Sequence, residues 1–152
     1  MNKVKKTTLK GDGVFAEISY KKEETVLVGR IEKELTANHS HASQIGLDRF
    51  VFHNEIIRMV NHSCNPNCGI KVNPTGAHNI VAMRDILKGE EITFDYAMRN
   101  YTVQYFPSLC KCGAEQCRGK ITGWKDLPIN KKEEYSRWAA PYLLELDAVN
   151  LS

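Results

Sequence analysis

Asn61-His62-Ser63-Cys64-Asn65-Pro66-Asn67 is the stretch on which the reading of this chain turns. Asn, Ser and Pro interrupt both helical and strand periodicity, so the segment is a loop. An apolar run, Ile56-Ile57-Arg58-Met59-Val60, leads into it. A loop that carries both a histidine and a cysteine is a candidate for ligation chemistry, and the other cysteines decide whether that matters.

The chain has five cysteines, at 64, 68, 110, 112 and 117. An odd number in two clusters, with no export signal at the start, favours metal ligation over disulfides. Cys110-x-Cys112-x4-Cys117 supplies three thiols within eight residues. Zinc takes four N or S ligands in a tetrahedron, so a fourth must come from elsewhere: Cys64, Cys68 or a histidine such as His62. Gly113 allows the backbone to turn tightly about a metal. A metal here ties the C-terminal segment to the 61–67 loop. His39, His41, His53 and His78 have no metal-binding spacing.

Working outward, the chain before the loop reads as short strands over Val14–Ile18, Thr25–Ile31, Ser43–Leu47 and Arg49–Phe52, rich in β-branched and apolar residues. After it, Asn79–Arg84 and Glu91–Tyr96 read as strands, separated by a turn at Lys88-Gly89-Glu90. Tyr135, Trp138, Ala139, Tyr142, Leu143 and Leu146 mark one face of a helix. Asn130 is its expected N-cap, with Glu133 three residues on. Pro141 predicts a break near Ala140. That face either covers the core or forms a dimer contact.

Bulk properties narrow the class. A chain of 152 residues holds one compact domain and a small appendage. Hydrophobic residues at 42% and charged residues at 26% are ordinary for a globular protein. A net charge of +3 without a clustered basic patch argues against direct nucleic-acid binding. No apolar run reaches membrane-spanning length, and Met1–Thr8 lacks a signal-peptide core. The expected location is cytoplasmic or nuclear.

Four segments together resemble the SET-domain family of protein lysine methyltransferases. The 61–67 loop is similar to its Asn-His-Ser-Cys-x-Pro-Asn motif. Gly89-Glu90-Glu91-Ile92-Thr93-Phe94-Asp95-Tyr96 resembles its second motif, which ends in the catalytic tyrosine. The cysteine cluster resembles its post-SET zinc segment, and Lys10-Gly11-Asp12-Gly13-Val14-Phe15-Ala16 its opening Gly-x-Gly loop. The motifs stand in the family's order from Lys10 to Gly119. The resemblance implies a mainly β fold with some α. Small sheets surround a knot-like crossing, in which the 61–67 segment threads beneath a loop near the Tyr96 strand. The implied divisions are a SET domain at 1–97, a post-SET zinc segment at 106–122 and a helical extension at 123–152.

What the resemblance implies for function is equally specific. The methyl donor is S-adenosylmethionine, and the substrate is a lysine on a protein or peptide, histones included. Tyr96 is the implied catalytic residue, with Phe94 beside it in the substrate channel. Lys10, Gly11, Asp12, Gly13, Arg58, Asn61 and His62 are the implied cofactor-binding residues, the glycine backbone approaching the methionine moiety. The implied zinc ligands are Cys64, Cys110, Cys112 and Cys117, with Cys68 a spare thiol packed near them. Phe94, two residues before the catalytic tyrosine, implies that methylation proceeds to di- or trimethyllysine. The expected assembly is a monomer or weak homodimer.

The chain departs from the family in places. No cysteine-rich segment precedes Lys10, and the span from Ile31 to Arg58 is short for a peptide-reading insert. Asn54–Val60 lacks the family's Gly-Asn before its Arg-Phe. Lys120 stands where an aromatic is usual, so Trp124 is carried as the residue that covers the adenine, with a core position as the alternative. The competing reading is a catalytically inactive, zinc-stabilised interaction module, which calorimetry with S-adenosylmethionine separates from the enzyme.

Overall fold

A computed structural model describes residues 2–7, 10–103 and 109–150. Residues 106–108 and 151–152, the edges of two expected segments, lie outside them. Among the described residues, ten short strands form three small sheets. The first holds β1 (Asn2–Lys6), β2 (Asp12–Ala16), β10 (Glu91–Phe94) and β7 (Asn61–His62), in that order. The second is ordered β3 (Thr25–Leu27), β9 (His78–Ala82), β8 (Cys68–Val72), and the third β4 (Ile31–Leu35), β6 (Arg49–His53), β5 (Ser43–Gly46). Helix α1 (Glu55–Arg58) is one turn; α2 (Ile129–Tyr135) and α3 (Pro141–Asn150) follow the cysteine cluster. No helix among the described residues is long and apolar enough to cross a membrane.

The first two sheets meet over one core that includes Val14, Ile57, Ile70, Ile80, Ile92, Phe94 and Met98. The expected strand from Thr25 to Ile31 ends at Leu27 as β3, and Ile31 instead opens β4. Gly29 separates them, packed so tightly that a Cβ would stand 2.0 Å from the His78 carbonyl oxygen. Strand β10 ends at Phe94, two residues early, because the Asp95 carboxylate caps a 3-10 turn over Tyr96–Met98 by accepting the Ala97 N–H at 3.0 Å. The expected helical face is buried at Tyr135, Trp138, Ala139 and Leu143, but it is shared by two helices. Pro141 opens the second, where its missing N–H costs nothing. Asn130 is not the N-cap of α2. Pro128 holds that place, and Asn130 lies in the first turn.

The pairing that positions the site is the parallel one between β7 and β10, with Thr93 opposite Asn61 and Phe94 opposite His62. The loop that follows β7 stays along β10. Ser63 N–H donates to the Phe94 carbonyl at 3.1 Å. The Asn67 side chain donates to the Glu91 carbonyl at 2.8 Å and accepts from Thr93 N–H at 3.0 Å. The two motif segments are thus joined at Asn61–Ser63 and again at Asn67.

Candidate active site

A cavity of about 590 Å³ opens beside this junction, within the usual size of a small-molecule site. Its wall includes Lys10, Asp12, Arg58, Asn61, His62, Phe94 and Tyr96. Sequence reasoning missed other parts of the wall: His41, Ala42, Arg99, Leu109 and Ile121. These have no motif of their own and reach the cavity by chain reversal.

Tyr96 sits at the centre. Its hydroxyl donates to the Val60 carbonyl at 2.8 Å, and its backbone N–H donates to His62 Nδ1 at 3.0 Å. Burial pushes the phenol up to about 12, so it keeps its proton at neutral pH. A phenol that donates its proton can still accept through its oxygen. The Phe94 and Tyr96 ring centroids are 5.0 Å apart. They adjoin although the strand ends between them.

His62 is fixed as the neutral tautomer. Nδ1 accepts from Tyr96, so Nε2 carries the hydrogen and points at Cys64 Sγ, 3.4 Å away. Burial lowers its pKa to about 4 against the pull of Asp95. The ring bridges Cys64 sulfur to the tyrosine backbone, and the four-sulfur group is complete without it.

The glycine loop is held by charge. Lys10 Nζ lies 2.9 Å from Glu91, and the Asn61 side-chain amide donates both to Glu91 at 2.9 Å and to the Asp12 carbonyl at 2.8 Å. Gly13 leaves room for these side chains: a Cβ would meet Glu91 Oε2 at 2.7 Å and Asn61 Nδ2 at 3.0 Å, and both would have to shift. Gly11 turns at φ +70°. Only Lys10 and Asp12 of this loop line the cavity. Arg58 lines it from α1 with a buried Nε that has no partner, an orphan donor that a cofactor carboxylate would satisfy.

Four cysteines, 64, 110, 112 and 117, bring their sulfurs within 4.8 Å of one another. The Cys64–Cys110 separation is 3.8 Å. Four sulfurs about 2.3 Å from a tetrahedral zinc stand about 3.8 Å apart, so the set fits that metal. Backbone N–H groups of Arg118 and Gly119 point at Cys64 and Cys117 sulfur at 3.4 Å each, as suits thiolates. Burial raises Cys112 too, but hydrogen bonds from its neighbours outweigh it and bring the thiol down to about 7. Cys68 is not part of the cluster. It lies in β8, fully buried in the apolar core.

A second link joins this cluster to Tyr96. Asp95 is fully buried, and Arg118 grips it with two hydrogen bonds of 2.6 and 2.9 Å. The Tyr135 hydroxyl adds a third donor at 3.1 Å. The residue before the tyrosine is thereby tied to the residue after Cys117 and to α2.

The structure corrects the assignment of Trp124. The indole is 0% exposed, packs in the core, and donates from Nε1 to Asp147 at 2.7 Å. It does not line the cavity. The backbone explains why: Gly123 packs against the Tyr101 carbonyl, and Trp124 N–H donates to Asn100 at 2.8 Å. That turns the side chain inward. The apolar wall near the cysteines comes from Leu109 and Ile121 instead.

Comparison with known proteins agrees with this geometry. Residues 11–97 match the SET domain. The chain is 42% identical over 98 residues to a Mycosarcoma maydis protein named histone-lysine N-methyltransferase, H3 lysine-36 specific; the match covers 62% of this chain and 9% of that protein. A Candida albicans protein of the same name is 32% identical over 135 residues, 76% of this chain and 16% of its own length. A Saccharomyces cerevisiae histone-lysine N-methyltransferase, H3 lysine-4 specific, is 39% identical over 67 residues, 42% of this chain and 6% of its own. The chain thus spans a small part of the length of the curated relatives it matches.

Proposed function

We propose that this chain, which belongs to the SET-domain family, is a protein-lysine N-methyltransferase that uses S-adenosylmethionine. The observation that carries the reading is the Tyr96 hydroxyl. It donates to the Val60 carbonyl at 2.8 Å and lines the cavity that the loop motif and the Gly-x-Gly segment share. The names of the relatives support a lysine substrate.

The cofactor supplies an electrophilic methyl on a sulfonium, and the new C–N bond forms as the C–S bond breaks. The remaining work falls to the protein. Arg58, Lys10, Asp12, Asn61 and His62 form the wall that would hold the donor, the orphan Arg58 Nε taking its carboxylate. A lysine ammonium has no lone pair, and its ordinary pKa of about 10.4 keeps it charged. A dry channel walled by Phe94 and Tyr96 disfavours that charge, so the amine enters neutral, its proton going to solvent. Tyr96, itself protonated, orients the amine by accepting one of its N–H bonds. It acts by alignment and not as a general base. The four cysteines would hold zinc and so fix Leu109 and Ile121 against the cavity.

The test is incubation of the full chain with isotope-labelled S-adenosylmethionine and a cell extract, followed by mass spectrometry. Labelled methyl groups on lysine side chains are expected. Label on another residue type, or none on protein, overturns the reading.

A further inference from the structure

Arg99 lines the same cavity and has no role in the account above. It follows the 3-10 turn of Tyr96, is 6% exposed, and holds its guanidinium carbon 4.7 Å from the centre of the Phe94 ring. Its Nε and Nη2 are buried with no hydrogen-bond partner. Among the described residues no carboxylate pairs with it. Burial lowers its pKa only to about 10, so it is charged at neutral pH. Planar donors in a fixed fork, buried and unpaired, are costly unless something brought into the cavity accepts from them.

The surrounding groups do not supply that acceptor. Tyr142 hydroxyl donates to Arg99's own carbonyl, and its oxygen accepts nothing from Arg99 Nε or Nη2. His53 is committed at both nitrogens, to Ser43 and to the His78 N–H. The cavity wall carries Lys10, Arg58, Arg99 and Lys111 against one carboxylate, Asp12. Lys10 already has Glu91, and Arg58 suits the single carboxylate of the cofactor. Arg99 stacks on Phe94, a wall of the proposed lysine channel.

Resting on the function proposed above, we infer that Arg99 is a specificity-determining residue that receives a carboxylate of the substrate protein, from an Asp or Glu within two residues of the target lysine. The guanidinium fork matches a carboxylate with two parallel hydrogen bonds. The chain therefore favours lysines in acidic surroundings over lysines flanked by arginine or lysine.

The experiment uses the full chain, S-adenosylmethionine and peptides of one lysine whose flanking positions carry Glu, Gln or Arg in turn. At one or more positions Glu should exceed its isostere Gln by roughly tenfold in kcat/KM, mainly through KM, as for a hydrogen bond to a charged group. Arg99→Gln should bring the Glu-to-Gln ratio to about one, and Arg99→Lys should retain part of it. Equal rates on Glu and Gln peptides with the native chain overturn the inference without any variant. So does an Arg99→Gln enzyme that weakens on all peptides alike, which assigns the guanidinium to a peptide carbonyl. Methylated lysines in the extract without acidic neighbours sink this inference alone. No lysine methylation anywhere sinks it together with the function it rests on.

Discussion

Removing the Arg118 guanidinium should unfold the junction that holds Tyr96. Asp95 is fully buried, and its two oxygens accept from Arg118 at 2.6 and 2.9 Å. In Arg118→Met only the Tyr135 hydroxyl and the Ala97 N–H remain, at 3.1 and 3.0 Å, both neutral donors. Breaking a buried pair from one side costs about 3–5 kcal/mol, because the other charge stays buried and unpaired. Against a total stability of about 5–15 kcal/mol this is a large fraction. For a chain of this length it lowers Tm by roughly 10 °C. Asp95→Asn removes the stranded charge, so Asp95→Asn with Arg118→Met should be more stable than the two single losses sum to, by about 1–3 kcal/mol. Urea unfolding of the metal-loaded protein measures all four corners. A loss under about 1 kcal/mol in Arg118→Met is the behaviour of a solvated surface pair. It would refute the claim that this contact holds the cysteine segment on the Tyr96 turn.

Three further outcomes follow from the same geometry. Zinc removal by a chelator should disorder the segment from Cys110 to Gly119 while the sheets and the core-packed α2 and α3 keep their slow amide exchange, since metal energy is folding energy for the segment it ties; carefully purified protein with no zinc contradicts this. Phe94→Tyr places a hydroxyl beside Tyr96, whose ring centroid is 5.0 Å away. Product mass should shift from di- or trimethyllysine toward monomethyllysine, and an unchanged distribution refutes the switch. Burial, helped by Arg99, lowers His53 from 6.5 to about 3, so on acidification the unfolded chain takes up the proton first. His53's contribution is complete above its unfolded pKa and is lost as pH falls from there toward the folded value, at up to about 1.4 kcal/mol per pH unit. The native chain should lose stability relative to His53→Gln between pH 7 and 5; a pH-independent difference in urea midpoint contradicts this.

The parts of the site that were legible in the sequence are those whose chemistry is local. Cys110, Cys112 and Cys117 announce a metal by spacing, and the 61–67 loop and β10 carry family motifs that the fold then pairs directly. Strands β1 and β4 were missed because their residues, Asn-Lys-Val-Lys-Lys and Ile-Glu-Lys-Glu-Leu, are mostly exposed and charged. Strand β8 was missed because Gly69 looks like a breaker. Its missing side chain makes room for Trp138, whose Cβ would stand 2.6 Å from an added one. Trp124 could be read either way, since burial against Asp147 depends on a helix that begins later in the chain. Arg99 was invisible for a related reason. Its place depends on β5 lying against the segment after Tyr96, where Gln44 accepts from Tyr101 N–H at 2.9 Å across 57 residues of sequence.

In the proposed reaction the Tyr96 hydroxyl aligns a lysine amine for methyl transfer in this cavity. Tyr96→Phe tests it most directly, with single-turnover transfer of labelled methyl and cofactor binding by calorimetry measured on the same preparation. The variant should fold and bind S-adenosylmethionine with little change, while transfer falls by on the order of a hundredfold or more, as for loss of one preorganised polar group. Near-normal transfer by Tyr96→Phe would place the chemistry elsewhere and contradict the account.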